Sequence, residues 1–263
     1  MDLKVSVITV CYNAEKFIEQ AINSVLKQKY ENIEYIIIDG ASTDNTVSII
    51  NEYKSKVAFF LSEPDNGMYE AMNKGITIAT GDILYFLNSD DMFYDEYVIT
   101  KVVNMFQKHK DVELIYGSVF VIKDPLINDS FIRSYGHMTK SSFVSDGIYQ
   151  QAIFYKAELF KKCGQFDETY KIVGDYEWLL RAFYKYNIKR KCYGDIIMAA
   201  FRYGGISNCD KFSSLHVEER KKVVKQYFNI YQIYNSKFQH VCVASIKKFI
   251  RKVKGMYKSY FSQ

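Results

Sequence analysis

The sequence has little of what builds linkers, disulfide frameworks or membrane spans. Two prolines in 263 residues, and no Gly/Ser-rich stretch, leave no flexible connector between domains to be found. The five cysteines (Cys11, Cys163, Cys192, Cys209, Cys242) are scattered, odd in number and never spaced as C-x-x-C. That excludes a disulfide scaffold and a zinc knuckle, and suits a reducing compartment. No run of about 18 apolar residues occurs, and the opening Asp2-Leu-Lys-Val-Ser-Val lacks the apolar region of a signal peptide. The expected location is the cytoplasm, free or at the inner face of a bacterial cell membrane. Several chemistries are missing too. There is no G-x-x-x-x-G-K-[ST], no G-x-G-x-x-G after the first apolar run, and no G-x-S-x-G elbow. The four histidines (His109, His137, His216, His240) are dispersed, with no H-E-x-x-H. P-loop, dinucleotide-type, serine-hydrolase and zinc-protease readings fall away.

What is present is an ordinary globular composition, 48% hydrophobic and 25% charged, in a chain long enough for one large domain or one domain plus an extension. The net charge of +5 is unevenly spread. Residues 211–263 carry 12 Lys and Arg against Glu218 and Glu219, a net of +10. The first 210 residues hold 23 basic and 28 acidic groups, a net of −5. A mildly acidic body with a basic tail calls for a partner for the tail. The expected division is a domain over 1–210 and a basic helical extension over 211–263.

Strand and helix patterns alternate through the first half. Lys4–Val10 is nearly continuous in apolar residues, as a central parallel strand should be. Asn13 is the predicted cap of a helix over about 14–28, with Phe17, Ile18, Ala21, Ile22, Val25 and Leu26 on one face. Glu34–Asp39 reads as a second strand, followed by a polar turn and a helix with Val47, Ile50 and Tyr53 inward. Val57–Leu61 reads as a third strand, and Met68, Ala71, Met72, Ile76 and Ala79 mark the next helix. Ile83–Leu87 follows as a fourth strand. Alternation with short connections predicts an α/β fold with an open, mostly parallel sheet flanked by helices. Beyond it the pattern predicts a helix over about 95–108, a strand near 112–122, an irregular polar-aromatic segment over 124–149, a short helix to Cys163, and a helix from Gly174.

Acidic residues at strand ends carry the candidate chemistry. Asp39 ends the second strand and Asp90–Asp91 the fourth, and ligands of open α/β sheets bind at that edge. Two adjacent carboxylates repel unless a cation or strong donors offset them. Mg²⁺ or Mn²⁺ carrying a phosphate-bearing substrate would do so; a turn with Asp91 capping the next helix is the alternative. Asp39 suits a ribose hydroxyl or a base N–H, or a turn before Gly40. Tyr12 suits stacking on a base, or packing under its own loop. Thr43 and Asp44 read as helix-entry groups, and Asp65 and Asn66 as a turn before Gly67. Asp175 lies in a first helical turn, where an acid stabilises any helix by up to about 1 kcal/mol.

Four segments, in this order, resemble family 2 glycosyltransferases, the inverting family with the GT-A fold. They are Val-Ser-Val-Ile-Thr-Val-Cys-Tyr-Asn (5–13), Ile-Ile-Ile-Asp-Gly-Ala-Ser-Thr-Asp-Asn-Thr (36–46), Ala-Thr-Gly-Asp-Ile-Leu-Tyr-Phe-Leu-Asn-Ser-Asp-Asp (79–91) and Gly-Asp-Tyr-Glu-Trp-Leu-Leu-Arg (174–181). The stretch from Glu63 to Gly75 looks like the branch acting in bacterial surface polysaccharide assembly. The resemblance implies transfer of a sugar from a nucleotide-diphosphate sugar, with UDP expected, to a hydroxyl of a glycan or lipid-linked acceptor. It assigns Val10, Tyr12 and Asp39 to the nucleotide, Asp90 and Asp91 to the nucleotide-bound Mn²⁺ or Mg²⁺, and Asp175 to the catalytic base. Two positions depart from the family pattern. Asn88 replaces the first carboxylate of the acidic motif, so metal ligation is expected to rest mainly on Asp91. Gly174-Asp175 replaces the usual Glu-Asp pair, which leaves Asp175 alone as base. A metal would neutralise the departing diphosphate, and one carboxylate as general base permits in-line displacement with inversion. His137, Gln150 and Gln151 are expected on the acceptor side.

From Phe238 to about residue 261 apolar residues recur with a helical period, and Lys247, Lys248, Arg251, Lys252, Lys254 and Lys258 take the other positions. Such a helix lies well on an anionic bilayer, each basic residue adding about 1 kcal/mol near the surface. The alternative is packing on the domain or on a second copy of the chain. The membrane reading is preferred, because a lipid-linked acceptor would stay there. Nucleic acid is not an expected partner, since no binding motif accompanies the charge. Two rivals remain. A sugar-1-phosphate nucleotidyltransferase would want a glycine-rich basic loop where Cys11-Tyr12-Asn13-Ala14 stands. A non-catalytic nucleotide-binding membrane scaffold is left some room by Asn88.

Overall fold

A computed structural model gives the fold and describes residues 2–124, 129–203 and 213–229. It divides into two compact units. Of the described residues, one comprises those up to His137 together with those from Ile148 to Arg220, and the other Met138–Gly147 together with Lys221–Asn229. In chain order the elements are β1 (Val5–Cys11), α1 (Ile18–Leu26), β2 (Ile33–Asp39), α2 (Thr46–Glu52), β3 (Phe59–Ser62), α3 (Met68–Ile78), β4 (Ile83–Phe86), β5 (Met92–Phe93) and α4 (Val98–Lys108). There follow β6 (Leu114–Asp124), β7 (Asp129–Arg133), α5 (Lys140–Ser145), β8 (Ile153–Lys156), α6 (Glu158–Cys163), α7 (Gly174–Leu180), β9 (Arg190–Arg202) and α8 (Ser213–Tyr227).

The strands of the first unit form a single sheet in the order β3-β2-β1-β4-β8-β6-β9-β5, with β7 added on β6. β1 is buried along its whole length and pairs in parallel with β2 on one side and β4 on the other, and β2 pairs in parallel with β3. This is the parallel half that the alternating pattern predicts. The chain runs outward from β1 to β3 and then crosses back to β4, so the strand order reverses between β1 and β4. A crevice opens at the carboxyl ends of strands at such a reversal. The other half is mixed: β8 runs antiparallel to β4 and β6, and β9 lies parallel to β6.

One aromatic cluster joins α6, α7 and β4. Phe160 stacks on Trp178 at 4.7 Å between centroids, Phe166 meets Phe86 edge-on at 5.3 Å, and the Trp178 indole donates to the Gly164 carbonyl at 2.7 Å. These contacts lock α7 onto α6 and the sheet, with dispersion and burial doing most of it.

Two expectations need correction. Asn13 does not cap a helix: α1 starts at Ile18, Asn13 has a φ of 50°, and its Oδ1 accepts from the Thr43 amide at 2.8 Å, joining the first two strand-end loops. The segment read as irregular over 124–149 contains β7 and α5. β7 is an edge strand with Phe131 and Ile132 both exposed, so it lacks the inside-outside alternation that marks a strand in sequence. α5 is held by a capping box between Thr139 and Ser142. The boundary drawn at 210/211 and the amphipathic period over 238–261 lie outside the described residues.

Candidate active site

The first three strand ends stand side by side. Cys11 pairs with Asp39 and Asp39 with Ser62, at the usual spacing of about 4.8 Å between strands. Tyr12, just past β1, is 63% exposed, its ring open to a stacking partner. Val10 is buried beneath it. Asp39 is fully buried and its lone pairs are taken. Oδ2 accepts from the Ser42 amide at 2.9 Å and the Ser62 hydroxyl at 2.7 Å, and Oδ1 accepts from the Ser42 hydroxyl and the Cys11 thiol. Asp39 therefore shapes the loop, and Asp44 caps the entry to α2 through Thr46, as a helix-entry group should.

A different carboxylate stands at this end of the crevice. Asp65 Oδ1 accepts from the Gly67 amide at 2.9 Å, while no residue among those described donates to Oδ2. That oxygen lies over Gly40 so closely that a Cβ there would meet it at 2.6 Å. Gly40 is thus a site of close approach, and its missing side chain makes room for Asp65. Burial raises the Asp65 carboxyl above the usual carboxylate range, with the Asp39 charge a minor contribution in the same direction. Sequence reading placed Asp65 in a turn; the turn is real, and only the fold shows which oxygen it leaves free.

The acidic motif follows β4. Asp91 is 1% exposed, with the Gln151 amide on Oδ2 at 2.7 Å and the Arg202 backbone N–H on Oδ1 at 3.0 Å. Burial and then the charge of Asp90 raise its carboxyl well above the ordinary range. Asp90 is half-buried, also raised by burial, and its carboxylate receives no hydrogen bond from another described residue. Beside it the Asn88 Oδ1 is buried with no hydrogen-bond partner among the described residues. Both residues lie in the turn that follows β4, which the Asp91 N–H closes on the Asn88 carbonyl at 3.1 Å. Within it Asp91 is held by the scaffold on both oxygens, while the half-buried Asp90 is not. An orphan amide oxygen next to an unpaired carboxylate is a hard-donor set. Among the described residues no three His, Cys, Asp or Glu side chains come together as a metal cage. Such a pair fits Mg²⁺ or Mn²⁺, which keep most of their ligands from water and substrate phosphates.

Gln150 and Gln151, expected on the acceptor side, are each only 5% exposed and serve the scaffold. Gln151 holds Asp91, and the Gln150 amide donates to the Met72 sulfur at 3.5 Å. His137 is exposed. Asp175 lies in the first turn of α7 as predicted, half-buried, with the Tyr69 hydroxyl 3.1 Å from Oδ1. Desolvation raises its carboxyl above the ordinary range, against opposing hydrogen bonds and the Arg220 charge. A carboxylate poised upward in this way is a competent general base.

The family model for glycosyl transferase family 2 matches residues 6–164. A PGL/p-HBAD biosynthesis glycosyltransferase of Mycobacterium bovis (strain BCG / Pasteur 1173P2) is 28% identical over 213 residues, covering 77% of this chain and 78% of its own. An uncharacterized glycosyltransferase of Mycobacterium tuberculosis (strain CDC 1551 / Oshkosh) is 34% identical over 181 residues, 68% of each chain. Among solved structures, S. aureus TarS 1-349 in complex with UDP-GlcNAc superposes with a TM-score of 0.64 at 20% identity, covering 78% of this chain. This chain spans 60% of that one. The mannosyltransferase PcManGT from Pyrobaculum calidifontis, in complex with GDP-Man and Mn²⁺, superposes with a TM-score of 0.67 at 17% identity, covering 90% of this chain and 69% of that one. At these identities the structural likeness is one of fold, and it bears out the GT-A architecture expected from the sequence.

Proposed function

The chain belongs to glycosyl transferase family 2, and from that premise we propose that it moves a sugar from a UDP-sugar to a hydroxyl of a glycan or lipid-linked acceptor, with inversion, in the building of a cell-surface glycan. The observation that carries this reading is the half-buried Asp90 carboxylate beside the orphan Asn88 oxygen at the strand-order reversal, with the raised carboxyl of Asp175 as candidate base. The base ring of the nucleotide lies on Tyr12, and its edge meets Asp65 rather than Asp39, whose oxygens are occupied. The diphosphate then reaches toward β4, one to three strand spacings away. Asp90 and Asn88 would hold a divalent cation there, and that cation supplies charge neutralisation for the departing diphosphate. Asp175 takes the proton of the acceptor hydroxyl on its Oδ2, the oxygen not facing Tyr69. No second carboxylate is needed as nucleophile, which accords with inversion.

Support for the nucleotide-sugar donor comes from the UDP-GlcNAc and GDP-Man bound to the structural neighbours, and for a lipid-borne product from the biosynthetic role in the mycobacterial relative's name. No helix among the described residues is long and apolar enough to cross a membrane. The basic period over 238–261 supports attachment to an anionic membrane face. Calorimetry with UDP, GDP and CDP tests the base site. A carboxylate accepts the ring N–H of uracil or guanine but repels the bare ring nitrogen of cytosine. UDP is expected to bind well ahead of CDP, and Asp65→Asn to weaken UDP by about tenfold or more. Equal binding of CDP would contradict the reading.

A further inference from the structure

Glu219, in α8, is buried, and its carboxylate accepts three consecutive backbone N–H groups. Lys171 donates to Oε1 at 2.7 Å, and Ile172 and Val173 donate to Oε2 at 2.9 and 3.2 Å. Those residues run directly into α7, whose second residue is Asp175. Ile172 is gripped from its other side as well. Its carbonyl accepts from the Tyr69 hydroxyl at 2.8 Å, the same hydroxyl that stands 3.1 Å from Asp175 Oδ1. Gly174 permits this approach, since a Cβ there would meet the Tyr69 ring at 2.8 to 2.9 Å.

The arrangement has a consequence for a group that must gain and lose a proton. A phenol carries one hydrogen, so Tyr69 donates either to Asp175 or to the Ile172 carbonyl. With Asp175 ionised, the hydroxyl can turn to it. With Asp175 protonated, the carboxyl can donate to the phenol oxygen while the phenol donates to Ile172. The exchange moves only hydrogens and leaves the loop in place, provided the Ile172 peptide stays fixed. Glu219 fixes it, because a carboxylate held by several N–H groups makes charge-assisted bonds that are short and hard to replace.

We propose that Glu219 is a positioning residue for catalysis, which sets the base Asp175 through the 171–173 backbone and the Tyr69 hydroxyl. The inference rests on the reading of Asp175 as base, and it concerns α8, beyond the family match that ends at residue 164.

The test is steady-state kinetics of nucleoside diphosphate release from UDP-GlcNAc, UDP-glucose and GDP-mannose in Mn²⁺, with water as acceptor, on the full chain. Asp175→Asn should lose about 10²-fold or more in kcat. Glu219→Gln, which offers one acceptor oxygen and turns an NH₂ toward backbone donors, should lose about 10- to 100-fold in kcat with donor KM unchanged. Tyr69→Phe keeps the ring and the fold and should show the same split, while Glu219→Asp should recover part of the lost kcat. If Asp175→Asn is impaired but Glu219→Gln and Tyr69→Phe keep wild-type kcat, the inference fails and the base assignment stands. If their kcat loss comes with an equal loss of donor affinity, Glu219 supports the fold at large and the inference again fails. If Asp175→Asn keeps wild-type kcat, the base assignment fails and takes the inference with it.

Discussion

Replacing Gln151 by leucine removes one of the two donors on a deeply buried carboxylate of the crevice. Asp91 is 1% exposed and is held by the Gln151 amide at 2.7 Å and the Arg202 backbone N–H at 3.0 Å. Leucine keeps the bulk and deletes the hydrogen bond, so one Asp91 oxygen is left without a partner. A lost hydrogen bond to a charged group costs about 1.5–3 kcal/mol. For a domain of this size, 1 kcal/mol moves Tm by about 2–4 °C, so a fall of about 3–12 °C is expected in thermal unfolding at pH 7.5. The deficit should shrink toward pH 5. Burial and the Asp90 charge raise Asp91's carboxyl well above the ordinary range, so acid protonates it and the lost donor matters less. Had Gln151 met the acceptor, as its sequence context suggested, the same substitution would depress transfer and leave Tm alone. An unchanged Tm at pH 7.5 would refute the scaffold role.

Other consequences concern charge and backbone. Asp65, Asp90, Asp91 and Asp175 all have carboxyls raised by burial, so each binds its proton more tightly folded than unfolded. Stability of the metal-free protein should therefore rise as pH falls from 7.5 toward the ordinary carboxylate range. Glu34 and Glu70, both lowered to about 2, and Asp44 and Glu113, also lowered, oppose this only below the ordinary carboxylate range, while His216, lowered by burial, opposes it as a single group nearer neutral pH. A Tm profile that falls steadily from pH 7.5 to 5 would contradict the burial of those four groups. Ala41 sits at a φ of 60°, a region costing a side-chain-bearing residue roughly 1–2 kcal/mol. Ala41→Gly should raise the urea midpoint by up to about 1 kcal/mol of stability, after glycine's own entropy cost; a lower midpoint would show that the turn is not left-handed.

The parallel half of the sheet was legible because β1, β4 and most of β2 are buried on both faces and spell themselves out as apolar runs, with helices of clear period between them. The positions of Asp39, Asp90, Asp91 and Asp175 at element ends were legible for the same reason. Which oxygen faces the crevice was not. Asp90 and Asp91 are neighbours in the turn after β4, and which of them is buried depends on Gln151 and the Arg202 backbone, both distant in sequence. Asp39 has its oxygens occupied because Ser42, Ser62 and Cys11 close around it, a matter of three-strand register. Gln150 and Gln151 looked like ligand residues since their partners, Met72 and Asp91, are distant in sequence. Glu219 gave no signal at all. An acid on a charged helix reads as solvated surface until the backbone N–H groups of residues 171–173 are seen to face it.

The central claim is that Asp90, with Asn88, forms the metal-assisted diphosphate site of a nucleotide-sugar enzyme. Calorimetry of UDP with and without Mn²⁺, on the wild type and on Asp90→Asn, tests it most directly. The account predicts that Mn²⁺ tightens UDP binding to the wild type by about tenfold or more, equivalent to about 1.4 kcal/mol, and that Asp90→Asn loses this increment while keeping its metal-free affinity. Binding that is indifferent to Mn²⁺, or an Asp90→Asn variant that retains the full metal effect, would contradict it.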